Sequence, residues 1–388
     1  MDGRRIINAT ARNLSDAGVE TVKGARVPAN SIMVSCIGSD MGKAAIAGSD
    51  CVTNQQINSI IVETDDSPLY VYYDLSTRKD EIRGAASGSA QPILNKSAFG
   101  RLEITLPKPA EQSAIAHILG TLDDKIELNH RMNETLESIA RAIFKSWFVD
   151  FDPVCAKASG EPPESICRRL GLTPEILGLF PDRFDDSELG EIPVGWKTGT
   201  LDSYAQLNPE SWTKANPPVA IEYVDLANTK WGKIEATQSF AWKSAPSRAQ
   251  RVLRPGDTIV GTVRPGNGSF ALIGDDGLTG STGFAVLRPK KPIYEAYVYL
   301  WVTRKENIER LAHLADGAAY PAVNPEVVLG TSCLLLCDKL IDQFGVLSKS
   351  LLKKTVANER ESRTLSIIRD TLLPKLISGE LRVPEATA

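Results

Sequence analysis

The phrase Gly88-Ser-Ala-Gln-Pro-Ile-Leu-Asn95 returns as Gly317-Ala-Ala-Tyr-Pro-Ala-Val-Asn324, 229 positions later, with Pro92 over Pro321 and Asn95 over Asn324. The same offset lays Asn129–Ile139 on Asn358–Ile368, where five of eleven residues are identical. Upstream, at an offset two residues shorter, Arg26–Ile32 meets Leu253–Ile259, so that Pro28 pairs with Pro255 and Ile32 with Ile259. Solenoid repeats have periods of roughly 20 to 50 residues. A repeat this much longer is a duplicated domain, and the chain must fold as two copies of one architecture.

Each copy ends in a helical stretch. From Pro109 to Phe148 no proline follows the first residue, and steps of four and three pick out Ile115, Leu119, Leu122, Ile126, Asn129, Asn133, Leu136, Ala140, Ile143 and Trp147. That is an a/d seam held over four heptads. The second copy keeps a looser seam through Leu347, Leu351, Leu365, Ile368, Leu372 and Leu376, which Pro374 and Ser378-Gly379 are expected to stop. Two such helices bury their stripes on each other, and the pattern leaves parallel and antiparallel pairing open. Asn129 and Asn358 occupy equivalent places in the two stripes, where a polar side chain fixes register.

The regions before the helices read as short β-type runs broken by turns: "SIMVSCIG", "INSIIVE" and "LYVYYDL" in the first copy, "DTIVGTV", "SFALIGDDG" and "GFAVLRP" in the second. The fold class expected is α/β (α+β), two mixed domains with curved sheets. Asn324-Pro325-Glu326 has the composition of a helix start, and Asn95 opens the matching helix. Between the first helix and the second domain, residues 151–190 are rich in Pro and acid and read as a connector.

Composition narrows the function. With 388 residues and 42% hydrophobic content there is enough chain for two cored domains, and no apolar run approaches the roughly 20 residues of a membrane span. A cytoplasmic protein is expected. The six cysteines form no Cys-x-x-Cys pair and only three histidines are present, so no metal site is expected. The net charge of −4 argues against gripping nucleic acid by bulk electrostatics and asks for local patches or a basic partner.

One local patch stands out. From Ala241 to Pro265 lie Lys243, Arg248, Arg251, Arg254 and Arg264 against a single acid, Asp257, followed by the turn that holds Asn267. Arg makes bidentate contacts to guanine, and Arg and Lys hold phosphates. These six residues are the candidate DNA contacts, and they favour a DNA reader over a coiled-coil adaptor whose heads bind protein. Enzyme readings are weaker. "ANPPVA" at Ala215–Ala220 has Val219 where the amino-methyltransferase motif carries an aromatic. "GSDMGKAA" at Gly38–Ala45 is one residue short of a phosphate loop and has Ala44 in place of Ser or Thr, so it reads as a hairpin turn.

The stretch from Leu106 to Pro153, "LPKPAEQSAIAHILGTLDDKIELNHRMNETLESIARAIFKSWFVDFDP", followed by "SELGEIPVGW" at Ser187–Trp196 and "LLPKLISGELRV" at Leu372–Val383, resembles the specificity subunit of type I restriction-modification systems. The resemblance covers essentially the whole chain. It implies two target-recognition domains that each read half of a split DNA sequence, and a long antiparallel coiled coil that acts as spacer and docks modification (methyltransferase) subunits, two of them, with restriction (translocase/nuclease) subunits joining the complex. It also implies that this chain is not itself an enzyme: S-adenosylmethionine, ATP and Mg would serve the partner subunits. A related methyltransferase-nuclease system is the neighbouring alternative. Helices of about 40 residues would span on the order of 60 Å, enough to hold two heads in major grooves a turn or more apart.

The domain boundaries expected are a first target-recognition domain at 1–105, a first helix at 106–150, the connector at 151–190, a second recognition domain at 191–338, and a second helix with tail at 339–388. The first copy also reads as N-terminally truncated. Lys233-Ile234 resembles Arg5-Ile6, so the counterparts of Ile192 to about Asn228, with the strand-like "PVAIEYVDLA", are expected to be missing from it.

Overall fold

The computed structural model describes residues 4–62, 65–87, 92–187, 190–317 and 321–383. The chain forms two compact units: Met1–Leu128 with Glu361–Ala388, and Asn129–Arg360.

In the first unit, β1 (Ile6–Ile7), β2 (Ile32–Ser35), β3 (Ala44–Ala47) and β4 (Ile57–Ile60) form a sheet in the order β1-β3-β2-β4. β1 runs parallel to β3 and the other pairs are antiparallel. Ile32 and Val34 of β2 are fully buried and pack with Leu75, Ile82 and Leu94. The turn between β2 and β3 places Gly38 and Gly42 at positive φ, so "GSDMGKAA" is a hairpin turn, as its spacing suggests.

The run "LYVYYDL" is not a strand. It lies in helix α1 (Pro68–Thr77), whose Ser67 side chain accepts from the Tyr70 N–H and whose Pro68 suits the first turn. Its aromatic and β-branched residues favour a strand locally, but helical spacing gives each face a use. Tyr70 and Tyr73 pack with Ile115 and Leu119, while Val71 and Leu75 enter the head core. Tertiary burial overrides propensity here. Helix α2 (Lys96–Phe99) opens as expected, with Asn95 Oδ1 accepting from Ala98 N at 2.9 Å.

Helix α3 (Pro109–Phe148) begins where the "PKPAEQ" entry predicts. Gln112 of that entry is fully buried: its amide donates to Asp66 and the Pro107 carbonyl, and its oxygen accepts from Ser67 N. At the other end Phe151 adopts a left-handed conformation and starts α4 (Asp152–Ala158). With α5 (Pro163–Leu170) and α6 (Pro174–Leu177), the connector is folded rather than extended. Val154, Ile166 and Phe180 join Trp147 and Phe148 in one core.

The second head contains β5 (Lys197–Thr200), β6 (Ala205–Leu207), β7 (Ala220–Val224), β8 (Gln238–Ala241), β9 (Ala249–Val252), β10 (Thr258–Gly261), β11 (Phe270–Leu272), β12 (Leu278–Ser281) and β13 (Phe284–Pro289). Helices α7 (Glu295–Val302), α8 (Lys305–His313) and α9 (Pro325–Leu329), strand β14 (Ser332–Leu335) and helix α10 (Asp338–Ile377) follow. The sheets run β6-β13-β10-β11, β8-β7-β12-β9 and β14-β5. Strands β10, β11 and β13 repeat β2, β3 and β4 in order and in pairing. Asn324 stands at the cap position of α9 with Pro325 in the first turn, but its side chain makes no capping bond. Pieces of the repeated phrase, Gly88–Gln91 and Ala318–Tyr320, lie outside the described residues.

Helices α3 and α10 pair antiparallel. In the second unit Phe148 meets Phe344 with ring centroids 5.0 Å apart, and Asn133 donates to the Thr355 carbonyl at 3.2 Å. In the first unit Asp123 accepts from Arg369 at 2.7 Å, and Ile115 and Leu119 cluster with Leu376. Every residue of the first stripe is buried or half-buried. The second stripe departs from its expected course. Ile368 is 41% exposed, and Arg369 turns inward to Asp123 instead. Pro374 sits inside α10, which runs three residues further before the left-handed Gly379 ends it. A proline this near the end gives up one ladder bond and leaves the last turn intact.

Candidate nucleic-acid interface

The six basic-patch residues do not form one cluster. Lys243 follows β8 at one edge of the sheet β8-β7-β12-β9, and Arg248 and Arg251 flank a bulge in β9 at the opposite edge. A bulge re-aims side chains along a strand. Lys243 and Arg248 are exposed. Arg251 is half-buried: Nη1 donates to Ser211 Oγ at 3.3 Å, and its buried Nε has no hydrogen-bond partner among the described residues. Burial pulls its guanidinium pKa down, and the group that Nη1 meets is a hydroxyl, not a carboxylate. A buried donor left unpaired is destabilising until an acceptor arrives.

Arg254 is committed elsewhere. Its guanidinium pairs with Glu210 and Asp276, both at 3.1 Å, while its backbone N–H donates to Asp257. Arg288, which the basic run did not include, bridges Glu210 and the buried Asp257. This carboxylate-rich network holds β9, β10 and β13 together.

Arg264 and Asn267 stand on the loop between β10 and β11. Arg264 is exposed at φ 48° and its N–H donates to the Pro321 carbonyl at 2.7 Å. The second copy of the repeated phrase thus props the loop that carries Arg264. Asn267 is exposed on the same turn.

Beside this loop stands a residue the basic patterning passes over. Trp231 and Gly232 form the left-handed tip of a hairpin pairing Thr229–Lys230 with Lys233–Ile234. Trp231 N donates to the Gly268 carbonyl at 2.7 Å, and its ring covers Gly268 so closely that a Cβ there would lie 2.5 Å from it. The indole is nevertheless 57% exposed. Its signal in the sequence is the Trp-Gly pair between two short β-type runs. An exposed indole next to Arg and Asn combines a stacking face with base-edge hydrogen-bonding groups. In the first head the equivalent loop reads Gly38-Ser-Asp-Met-Gly-Lys43, with Lys43 paired to Asp40 at 2.8 Å. The same turn therefore carries different chemistry in the two heads.

Asn129 and Asn358 meet in the helix pair. Asn129 Nδ2 donates to the Asn358 carbonyl at 3.4 Å, and Asn358 Nδ2 donates to Asn133 Oδ1 at 2.8 Å. Asn129 and Asn358 are both buried. Asn216 of the Asn-Pro-Pro run accepts from Thr213 and shapes an exposed turn. No helix among the described residues is long and apolar enough to cross a membrane.

Comparison with known proteins follows the same lines. A family model described as "Type I restriction modification DNA specificity domain" matches residues 4–138. The chain is 24% identical over 98% of its length to 84% of the type I restriction enzyme MjaIX specificity subunit of Methanocaldococcus jannaschii. It is 27% identical over 75% of its length to 71% of the HindI specificity subunit of Haemophilus influenzae. The crystal structure of a type I restriction-modification S subunit from M. genitalium superposes with a TM-score of 0.55 at 17% identity, covering 96% of this chain and 88% of that one, and shares the fold. With duplicated heads, an antiparallel helix pair and these relatives along its length, the chain is similar throughout to the specificity subunits of type I restriction-modification systems.

Proposed function

We propose that this chain is the DNA sequence-recognition subunit of a type I restriction-modification complex, that its two heads each read one part of a bipartite target, and that the paired helices dock two modification subunits. The chain recognises and scaffolds; methyl transfer and cleavage fall to its partners. The observation that carries the reading is the repeated turn between matching strands. Gly38–Lys43 and Arg264–Ser269 occupy the same place in two copies of one fold yet present different side chains, as two readers of unlike half-sites would. In the second head Arg264, Asn267 and Trp231 are the proposed base-reading group, with Lys243, Arg248 and Arg251 as phosphate or base contacts. Arg254 contributes by holding the head together.

Methylation mapping in a host carrying the complete operon tests this. A two-part methylated sequence with a fixed gap is the expected result. Methylation of a continuous site, or none dependent on this chain, would overturn it.

A further inference from the structure

The hairpin that carries Trp231 is held from two sides. On one side its tip bonds the segment that follows Arg264: Trp231 N donates to the Gly268 carbonyl, and Gly232 N donates to the Phe270 carbonyl at 2.9 Å. On the other side it rests on helices α7 and α3. A Cβ on Gly232 would lie 3.0 Å from the Tyr299 hydroxyl of α7 and 3.4 Å from Glu137 Oε2 of α3, so the turn comes this close only because residue 232 is glycine. Its φ of 89° favours the same residue. One residue on, Lys233 Nζ lies 3.2 Å from His130 Nε2. His130 and Glu137 are seven residues apart, about two helical turns, so α3 meets the hairpin along one face.

A polar network stands behind that face. Glu137 Oε1 accepts from the Tyr299 hydroxyl at 3.2 Å and from Arg141 Nε and Nη2 at 3.0 and 2.7 Å. Arg141 also donates to the Thr303 hydroxyl at 3.1 Å and to the Thr303 carbonyl at 3.3 Å, and its guanidinium lies 5.9 Å from the centre of the Tyr299 ring. Thr303 Oγ1 closes the circuit by donating to the Tyr299 carbonyl at 2.7 Å. Tyr299 and Thr303 are both buried. Burial, and after it the Glu137 charge, raises the Tyr299 pKa well above the ordinary phenol value, so the hydroxyl keeps its proton and its bond. Tyr297 of the same helix shows the contrasting use of a buried tyrosine. Its hydroxyl donates to the Leu334 carbonyl at 2.7 Å, inside the head. The Tyr299 hydroxyl instead meets a helix carboxylate and the back of the hairpin. The repeat position of Lys233 is tied to α3 in the first head as well, where Arg5 donates to the Gly120 carbonyl at 3.3 Å and pairs with Asp124.

We propose that Glu137 and Tyr299, with Arg141 behind them, are positioning residues for base reading by the second head: they seat the Trp231-Gly232 tip on helix α3 and so set where the indole stands beside Arg264 and Asn267. The inference rests on the reading of Trp231 as a base contact and adds the part of the chain that aims it. Discrimination is a difference between two affinities. A reading group that can shift relieves a mismatch, whereas one locked by a supporting shell cannot. Because α3 belongs to the helix pair, the seat registers the tip to the spacer as well as to its own head.

The test uses the chain assembled with its modification subunits and duplexes carrying the two-part sequence found by methylation mapping, each with one base pair altered in one part. Trp231→Ala is expected to mark the part that the second head reads. Tyr299→Phe and Glu137→Ala should each cut the cognate-to-altered affinity ratio in that part about tenfold, the scale of one mismatched pair, and leave the ratio in the other part unchanged. Glu137→Gln, which keeps the acceptor for Tyr299, should restore most of the ratio. Tyr297→Phe controls for stability: it removes a buried hydroxyl from the same helix and should lower Tm without changing either ratio. In the free chain, hydrogen exchange at 229–234 should quicken about tenfold in Tyr299→Phe and Glu137→Ala but not in Tyr297→Phe. Wild-type ratios in Tyr299→Phe and Glu137→Ala, equal losses in both parts, or an equal loss in Tyr297→Phe would overturn the inference while the DNA reading stands. A wild-type complex with no preference at either part fails the DNA reading itself and takes the inference with it.

Discussion

Arg264 and Arg254 stand ten residues apart in one basic run, and the structure gives them different work. Arg264 is exposed on a propped, left-handed turn; Arg254 is gripped by two carboxylates. Arg264→Ala is therefore expected to weaken binding of the assembled complex to its own site by about 1–3 kcal/mol if it reads a base. Binding assays on cognate and altered half-sites check this, and equal loss on every sequence would reassign it to phosphate. Arg254→Ala should act on the head's stability instead. The Glu210 side chain gives that network a pH signature. Arg254 first, and Arg288 with it, hold the Glu210 carboxyl below its ordinary value of 4.5. A depressed carboxylate contributes stability that is present above the unfolded value and is lost as pH falls through the folded one. The side chain is 40% exposed, so solvent screens much of the effect. The difference in Tm between wild type and Glu210→Gln is accordingly expected to be small near neutrality and to disappear as pH drops below 4.5. A difference that stays constant through that window would show that the pair does not titrate.

At the scale of elements, the helix pair was legible because a 3.5-residue stripe of apolar side chains has one efficient way to be buried. Its direction was not, since a stripe is the same read either way. Direction comes from contacts such as Phe148 with Phe344 and Asn133 with Thr355. Where the stripe weakens, reading failed: Ile368 fits the period yet is exposed, because the ion pair of Arg369 with Asp123 claims the interface. Helix α1 failed for a related reason. Its aromatics look strand-like until the helix pair and the head core are both there to cover them. Asn129 and Asn358, placed in the stripe from sequence, are buried and bonded across it. Replacing both by Leu is expected to raise Tm, since buried polar contacts are often outdone by apolar packing. The same change should loosen register, seen as new disulfide pairs in a scan of engineered cysteines around positions 133 and 355. Lower Tm with one unchanged cross-linking pattern would show that the amides stabilise the pair without specifying it.

The whole molecule carries a net charge of −4, which sets how a duplicated reader can work. Phosphate contacts release counterions, and affinity falls with salt by a slope of about 0.9 per contact. A chain with few clustered cations has little of this term of its own, so on the proposed function the bulk of affinity comes from partner subunits while the two heads supply discrimination. The isolated chain is expected to bind DNA weakly across a salt series, and the complex tightly with a steep slope. Division of labour between heads can then be read directly. The Gly38–Lys43 and Arg264–Ser269 turns join equivalent strands, β2 to β3 and β10 to β11, so exchanging their exposed residues, with the buried Met41 and Ser269 left in place, should disturb neither sheet. Grafting the first turn into the second head, in a complex that still assembles, is expected to change one part of the methylated sequence and leave the other part and the gap untouched. The gap would be kept because the helix pair sets it and the turns do not. Methylation mapping of the grafted complex decides the matter: a change in both parts, or an unchanged sequence, would mean that these turns support recognition from a distance and that the bases are read elsewhere on the heads.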